Sequence, residues 1–218
     1  MGEGILFNDR VDAGRQLAGR LEKHRASNPL ILALPRGGVV VGAEIARALG
    51  CDLDVMLVKK LRAPGNPELA IGAISEEGRV HLNEEVARLS GADAAYIERE
   101  RTTRMAEMAE QKMLYRAVRS RIDPIGRAAI LADDGLATGA SMIAAIQAAA
   151  QGRPAKLMVA VPVSPPETLE TIGAMDEVDE VVCLAAPDGF AGVGQFYQEF
   201  DQVPDEDVVA ILRQFAGK

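Results

Sequence analysis

Apolar residues in this chain come mostly in short unbroken runs rather than in alternation. Leu30 to Leu34, Leu53 to Leu61, Ala128 to Ala132, Lys156 to Val163 and Val178 to Ala185 each read as a strand buried on both faces. Between them lie segments with helical spacing: Val39 to Leu49, about Ser141 to Gln151, and Pro166 to Gly173. Strands alternating with helices predict a parallel sheet, and right-handed crossovers place helices on each side of it. The expected fold is α/β, a mainly parallel sheet with helices on both faces. In such sheets ligands sit beyond the carboxyl ends of the strands, where strand order reverses.

Three segments fall outside the alternation. Asp9 to Arg25 predicts a helix with Val11, Gly14, Leu17, Ala18 and Leu21 along one side. Glu84 to Arg121 is a long charged insertion whose apolar stripe (Ile97, Met105, Met108, Tyr115) is thin. It reads as a solvated helix laced with opposite charges, or as a lid or dimer contact. Pro187 to Phe200 gathers Phe190, Phe196, Tyr197 and Phe200. The organisation expected is one domain over 1–218, with a core of about 28–83 and 122–186. The helical insertion occupies 84–121, and a hood forms from 1–27 and 187–218.

Chemistry concentrates at two strand ends. Ile130 to Met142 reads I-L-A-D-D-G-L-A-T-G-A-S-M: a strand, the adjacent carboxylates Asp133 and Asp134, a small-residue turn, then a helix start. Such a turn offers backbone N–H groups to a phosphate, and the helix dipole favours the anion. Two carboxylates beside an anion site suit hydroxyls or a metal, so a sugar phosphate carrying a magnesium ion meets every need. Pro35, Arg36, Gly37 and Gly38 follow the first strand. Paired glycines let N–H groups turn toward an anion, and Arg36 adds a charged fork suited to phosphate. Lys59 and Lys60 end the second run; one of them faces the same rim, or both are solvated. Arg62 to Glu76 is either a loop closing over the site, with Glu68 and Glu76 upon it, or a hairpin pairing Ala70–Ile74 with Arg79–Leu82.

The Asp133–Ser141 segment resembles the 5-phosphoribosyl-1-pyrophosphate (PRPP) motif of type I phosphoribosyltransferases. The resemblance implies that Asp133 and Asp134 hold the ribose hydroxyls, and magnesium through those hydroxyls or water. Ala137, Thr138, Gly139, Ala140 and Ser141 would wrap the 5′-phosphate. Arg36, Gly37, Gly38 and Lys60 would hold pyrophosphate, with Lys59 and Lys60 helping to neutralise it. A hood would close the site over a nitrogenous base, where Phe190 or Tyr197 could stack on the base and Asp188 accept a hydrogen bond. Those aromatics could equally pack the hood itself. Ala137 stands where 6-oxopurine enzymes carry an Asp, which removes an obvious general base. D-R-x-x-A-G (Asp9–Gly14), L-P-R-G-G (Leu34–Gly38) and P-E-L-A-I-G-A together resemble an uncharacterised bacterial phosphoribosyltransferase group with no established acceptor. The implied activity is Mg²⁺-dependent transfer of ribosyl 5-phosphate to a base. A PRPP-binding regulator and a phosphoribosyl-bond hydrolase are the competing readings.

Composition narrows the partners. The 218 residues carry a net charge of −8, which argues against nucleic acid, and only 4% aromatics, which argues against base-stacking platforms. No apolar run approaches the roughly 18 residues of a membrane span. No basic-then-apolar leader is visible at the start, so the expected setting is the cytoplasm. Cys51 and Cys183 read as small core residues, and His24 and His81 have no ligand-like neighbours. A homo-oligomer is compatible with the chain. Asp134→Asn is expected to abolish PRPP turnover with the fold intact.

Overall fold

The structure, a computed structural model, describes residues 5–217, apart from the Glu68 side chain. Its centre is a five-stranded parallel sheet in the order β2-β1-β6-β7-β8. The strands are β1 (Leu30–Ala33), β2 (Asp52–Val55), β6 (Ala128–Ala132), β7 (Lys156–Val163) and β8 (Glu180–Ala185). Successive side chains point to opposite faces, so each strand feeds two cores. Ile31, Ala33, Ile130 and Ala132 pack under α1 (Arg10–Leu21), α2 (Gly37–Leu49) and α7 (Asp205–Phe215). Leu30, Leu32, Ala129 and Leu131 pack under α5 (Ala140–Ala150) and α6 (Pro166–Gly173). That double burial is why the strands read as continuous apolar runs. Cys51 lies in the first core and Cys183 against the second.

One expectation fails here. Leu53 to Leu61 is not a single strand. The chain leaves the parallel sheet after β2 and enters a separate antiparallel sheet of β3 (Val58–Ala63), β4 (Asn66–Ser75) and β5 (Val80–Leu82). Both halves of the run are apolar because β3 buries Leu61 in a core of its own, and no Gly or Pro marks the break. Lys59 and Lys60 therefore stand within an antiparallel strand, opposite Ile74 and Ala73. Arg62 to Glu76 is a hairpin rather than an open loop, and Gly72, Ala73 and Ile74 pair with Leu82, His81 and Val80.

The insertion forms α3 (Glu84–Leu89) and the long α4 (Ala94–Arg116). It is more than a solvated helix: Arg104, Met108 and Tyr115 are buried along one of its faces. Arg116 at its end reaches Asp54 Oδ1 at 2.6 Å and grips Glu76 with two nitrogens. Glu76 is thereby tied to α4 and the end of β2. Burial holds Asp54 above the usual carboxylate range even with Arg116 beside it. Among the described residues no helix is long and apolar enough to cross a membrane.

Candidate active site

Strand order reverses between the neighbours β1 and β6, so the loops after these two strands rise side by side. Leu34 N–H donates to Ala132 C=O at 2.9 Å and holds the loops in register. The chain then turns through Pro35 and Arg36, joined by a cis peptide, into α2. A Cβ on Gly37 would lie 1.9 Å from Asp134 Oδ2, and one on Gly38 would lie 2.8 Å from Ala132 O and 2.9 Å from Asp133 Cα. The glycine pair is what lets the first loop press directly on the acidic pair.

Asp133 and Asp134 differ in environment. Asp133 Oδ1 accepts the Asp134 N–H at 2.9 Å. Burial, then the charge of Asp134, pushes Asp133 well above the usual carboxylate range. Asp134 Oδ2 instead accepts from Arg10 Nε at 2.7 Å. The Asp9 side chain caps α1 by accepting the Asp12 N–H, which sets Arg10 at the first helical position. The Arg10 guanidinium lies 3.8 Å from the Phe200 ring centroid and donates to Asp201 C=O at 2.8 Å. One arginine thus joins α1, the acidic pair and the segment after Pro187.

The second loop is open to solvent. Ala137, Thr138 and Ser141 are exposed, and Ala140 starts α5 after Gly139 at φ 71°. The first N–H groups of such a helix have no acceptor within it and point outward. Leu136 N–H donates to Val163 C=O, and Thr168 Oγ1 donates to Ala137 C=O at 2.8 Å, so the loop is pinned from behind. Arg36 Nη1 lies 3.6 Å from Asp205 Oδ2, and the Tyr115 hydroxyl donates to the other oxygen of Asp205. A cavity of about 230 Å³ adjoins both loops; Pro35, Ser141, Lys59, Lys60 and Arg104 are on its wall.

The phosphoribosyl transferase domain model matches residues 7–189. The chain belongs to that family. Two Mycobacterium tuberculosis proteins, MT0597 (strain CDC 1551 / Oshkosh) and Rv0571c (strain H37Rv), are each 44% identical over 207 residues, 95% of this chain. Their names assign them provisionally to the phosphoribosyl transferases, and the chain spans 46% of their length. The solved structure of TT1426 from Thermus thermophilus is 46% identical, covers 98% of this chain and 100% of its own, and superposes with a TM-score of 0.91. The mainly parallel sheet with helices on both faces is the fold of the family.

Within this phosphoribosyl transferase domain, the structure brings together Arg36, Gly37, Gly38, Asp133 and Asp134, with the 137–141 loop following on the same rim. Of the three residues considered for an acceptor pocket, Tyr197 is engaged elsewhere. Tyr197 is buried, packs between Phe7 and Phe200, and donates to Asp134 C=O at 2.6 Å. Phe190 leans on Phe196 with centroids 5.1 Å apart. Asp188 is exposed on the segment before them. Phe196 and Tyr197 make a small core with Phe7, and Phe190 and Phe200 pack against it partly buried. Sequence reasoning missed Arg10, Thr168, Asp205 and Arg104 in their roles here. Only Arg10 left a signal, as the second residue of D-R-x-x-A-G.

Proposed function

We propose that this domain transfers the ribosyl 5-phosphate of PRPP to a nitrogenous base and releases pyrophosphate. The observation that carries the reading is the contact of Gly37 and Gly38 with the Asp133–Asp134 pair at the strand-order reversal. It supports the reading because the Pro35–Gly38 loop, the acid pair and the 137–141 loop then share one rim. In the proposed reaction the bond from ribose C1 to the pyrophosphate oxygen breaks with its electrons leaving on oxygen. A nitrogen of the base forms the new bond from the opposite face, and its proton passes to water or to the departing pyrophosphate. The transition state resembles an oxocarbenium ion, so the protein's work is positioning and charge placement. Asp133 and Asp134 would stabilise the cationic ribose. Ala137 to Ser141 would fix the 5′-phosphate, and Arg36 with Lys59 or Lys60 would stabilise pyrophosphate.

Among the described residues no group of three or more His, Cys, Asp or Glu is placed to hold a metal ion. Asp134 also has Arg10 at 2.7 Å. This donor set fits magnesium carried on the substrate's own hydroxyl and pyrophosphate oxygens, with the acid pair reached through hydroxyls or water. When bound, the ion supplies charge neutralisation for the departing group. The test is pyrophosphate release from PRPP and Mg²⁺ with a pool of purine and pyrimidine bases against a no-base control. Release that depends on the pool supports transfer. Equal release without bases points to water as the acceptor, and no release in protein that binds PRPP points to a regulator.

A further inference from the structure

The helical insertion puts a buried cation into the cavity beside the site. Lys59, Lys60, Arg62 and Arg104 line this cavity of about 230 Å³, with Glu107 the one carboxylate on its wall among the described residues. In a chain of net charge −8 such a basic hollow is a focused field for an anion. Arg104, from α4, is only 7% exposed. Its Nη1 donates to Glu107 Oε2 at 2.6 Å. Its Nε lies 3.1 Å from Glu100 Oε1 but makes no hydrogen bond among the described residues. The guanidinium also lines the cavity, where its planar fork matches a phosphate oxygen that would take the place of Glu107. The Glu107 side chain is 44% exposed and can turn to water when an anion arrives.

The mounting of Arg104 is built as well. Glu100 accepts the Arg62 N–H at 3.0 Å, and the Tyr96 hydroxyl donates to Arg62 C=O at 3.1 Å. α4 therefore grips the end of β3 where that strand borders the cavity. We propose that the insertion helix is part of the binding site, with Arg104 and Arg62 as ligands for a phosphate-type oxyanion in this cavity. The anion is either the pyrophosphate of PRPP or an anionic group on the acceptor. Only this attribution rests on the phosphoribosyl transfer reading.

The experiment is calorimetric titration of the full chain with pyrophosphate, Mg²⁺ present, and separately with ribose 5-phosphate. Arg104→Gln should weaken pyrophosphate by at least about tenfold, the size of one charge-assisted hydrogen bond, and leave ribose 5-phosphate within about twofold. Arg62→Gln removes an exposed side chain and should weaken pyrophosphate several-fold. Unchanged pyrophosphate affinity in Arg104→Gln overturns the proposal. If that variant does not fold, unchanged affinity in Arg62→Gln overturns it. Wild type that takes ribose 5-phosphate but no pyrophosphate also overturns it and leaves the transfer reading standing. Arg104-dependent pyrophosphate binding without any ribose 5-phosphate or PRPP binding supports the cavity and sinks the transfer reading. Where the cavity binds, displacement of pyrophosphate by PRPP assigns it to the leaving group. Simultaneous binding assigns it to an anionic acceptor.

Discussion

Arg10, at the start of α1, and Asp134, after β6, are 124 positions apart in sequence and meet at 2.7 Å. Their side chains are 12% and 16% exposed, so this is a largely desolvated pair. Removing one partner strands the other, which makes such pairs count more than surface ion pairs.

Asp134→Asn should therefore do two things. It should abolish PRPP turnover, and it should lower stability by about 2 kcal/mol because Arg10 loses a charge-assisted acceptor. Urea unfolding of Arg10→Gln, Asp134→Asn and the double variant should give a coupling of about 1–3 kcal/mol. Additive effects would show that the contact contributes nothing.

Asp133→Asn should stabilise the ligand-free protein at neutral pH while destroying turnover. The folded state raises the Asp133 carboxyl, through burial and then through Asp134. A raised acid binds its proton more tightly when folded, so its contribution is fully present below the unfolded value of about 3.9. It is lost as pH rises through the folded value. Thermal melts of the variant and the wild type should coincide near the acid end and separate as pH rises, with the variant higher. A variant that is less stable at pH 7 would contradict this.

Gly38→Ala should destabilise by about 1–3 kcal/mol, the usual range for overpacking. The new Cβ would meet backbone, the Ala132 carbonyl at 2.8 Å and Asp133 Cα at 2.9 Å, and neither can rotate away. Turnover should fall as the acidic pair shifts. A melting temperature matching wild type would mean the two loops do not press together in solution.

Much of this arrangement was legible in the sequence, for definite reasons. β6, β7 and α6 have the bounds the hydrophobic pattern predicts, because strands buried on both faces read as unbroken runs. The Leu53–Leu61 run misled because two strands of different sheets adjoin without a breaking residue. The hydrophobic pattern reports burial and not the sheet that does the burying. The aromatics after Pro187 could have stacked on a base or packed on one another, and the structure buries Phe196 and Tyr197 in a small core with Phe190 and Phe200 partly covered beside them. Arg104 and Asp205 were invisible because charged side chains at distant positions carry no period, and Arg10 showed only as the second residue of D-R-x-x-A-G. The insertion looked solvated because its buried face is thin, with Arg104, Met108 and Tyr115 spaced along a helix that is otherwise charged.

Arg116→Met should cost about 3–5 kcal/mol, since it takes from the buried Asp54 and Glu76 carboxylates the guanidinium that pairs them. Both carboxylates are nearly inaccessible, at 1% and 5% exposure. Urea denaturation reads this directly. A loss under about 1 kcal/mol would mean that α4 is not anchored through this network.

The most direct test of the central claim is pyrophosphate release from PRPP and Mg²⁺, with and without a pool of bases, in wild type and Thr138→Ala. Thr138 is exposed on the phosphate loop, so the substitution should leave the fold alone. The account predicts release that depends on the bases and falls at least about tenfold in the variant, as for one lost hydrogen bond to a charged group. Base-dependent release that is the same in both proteins would contradict the placement of the phosphate. No release from either protein, and no PRPP binding, would contradict the proposed reaction itself.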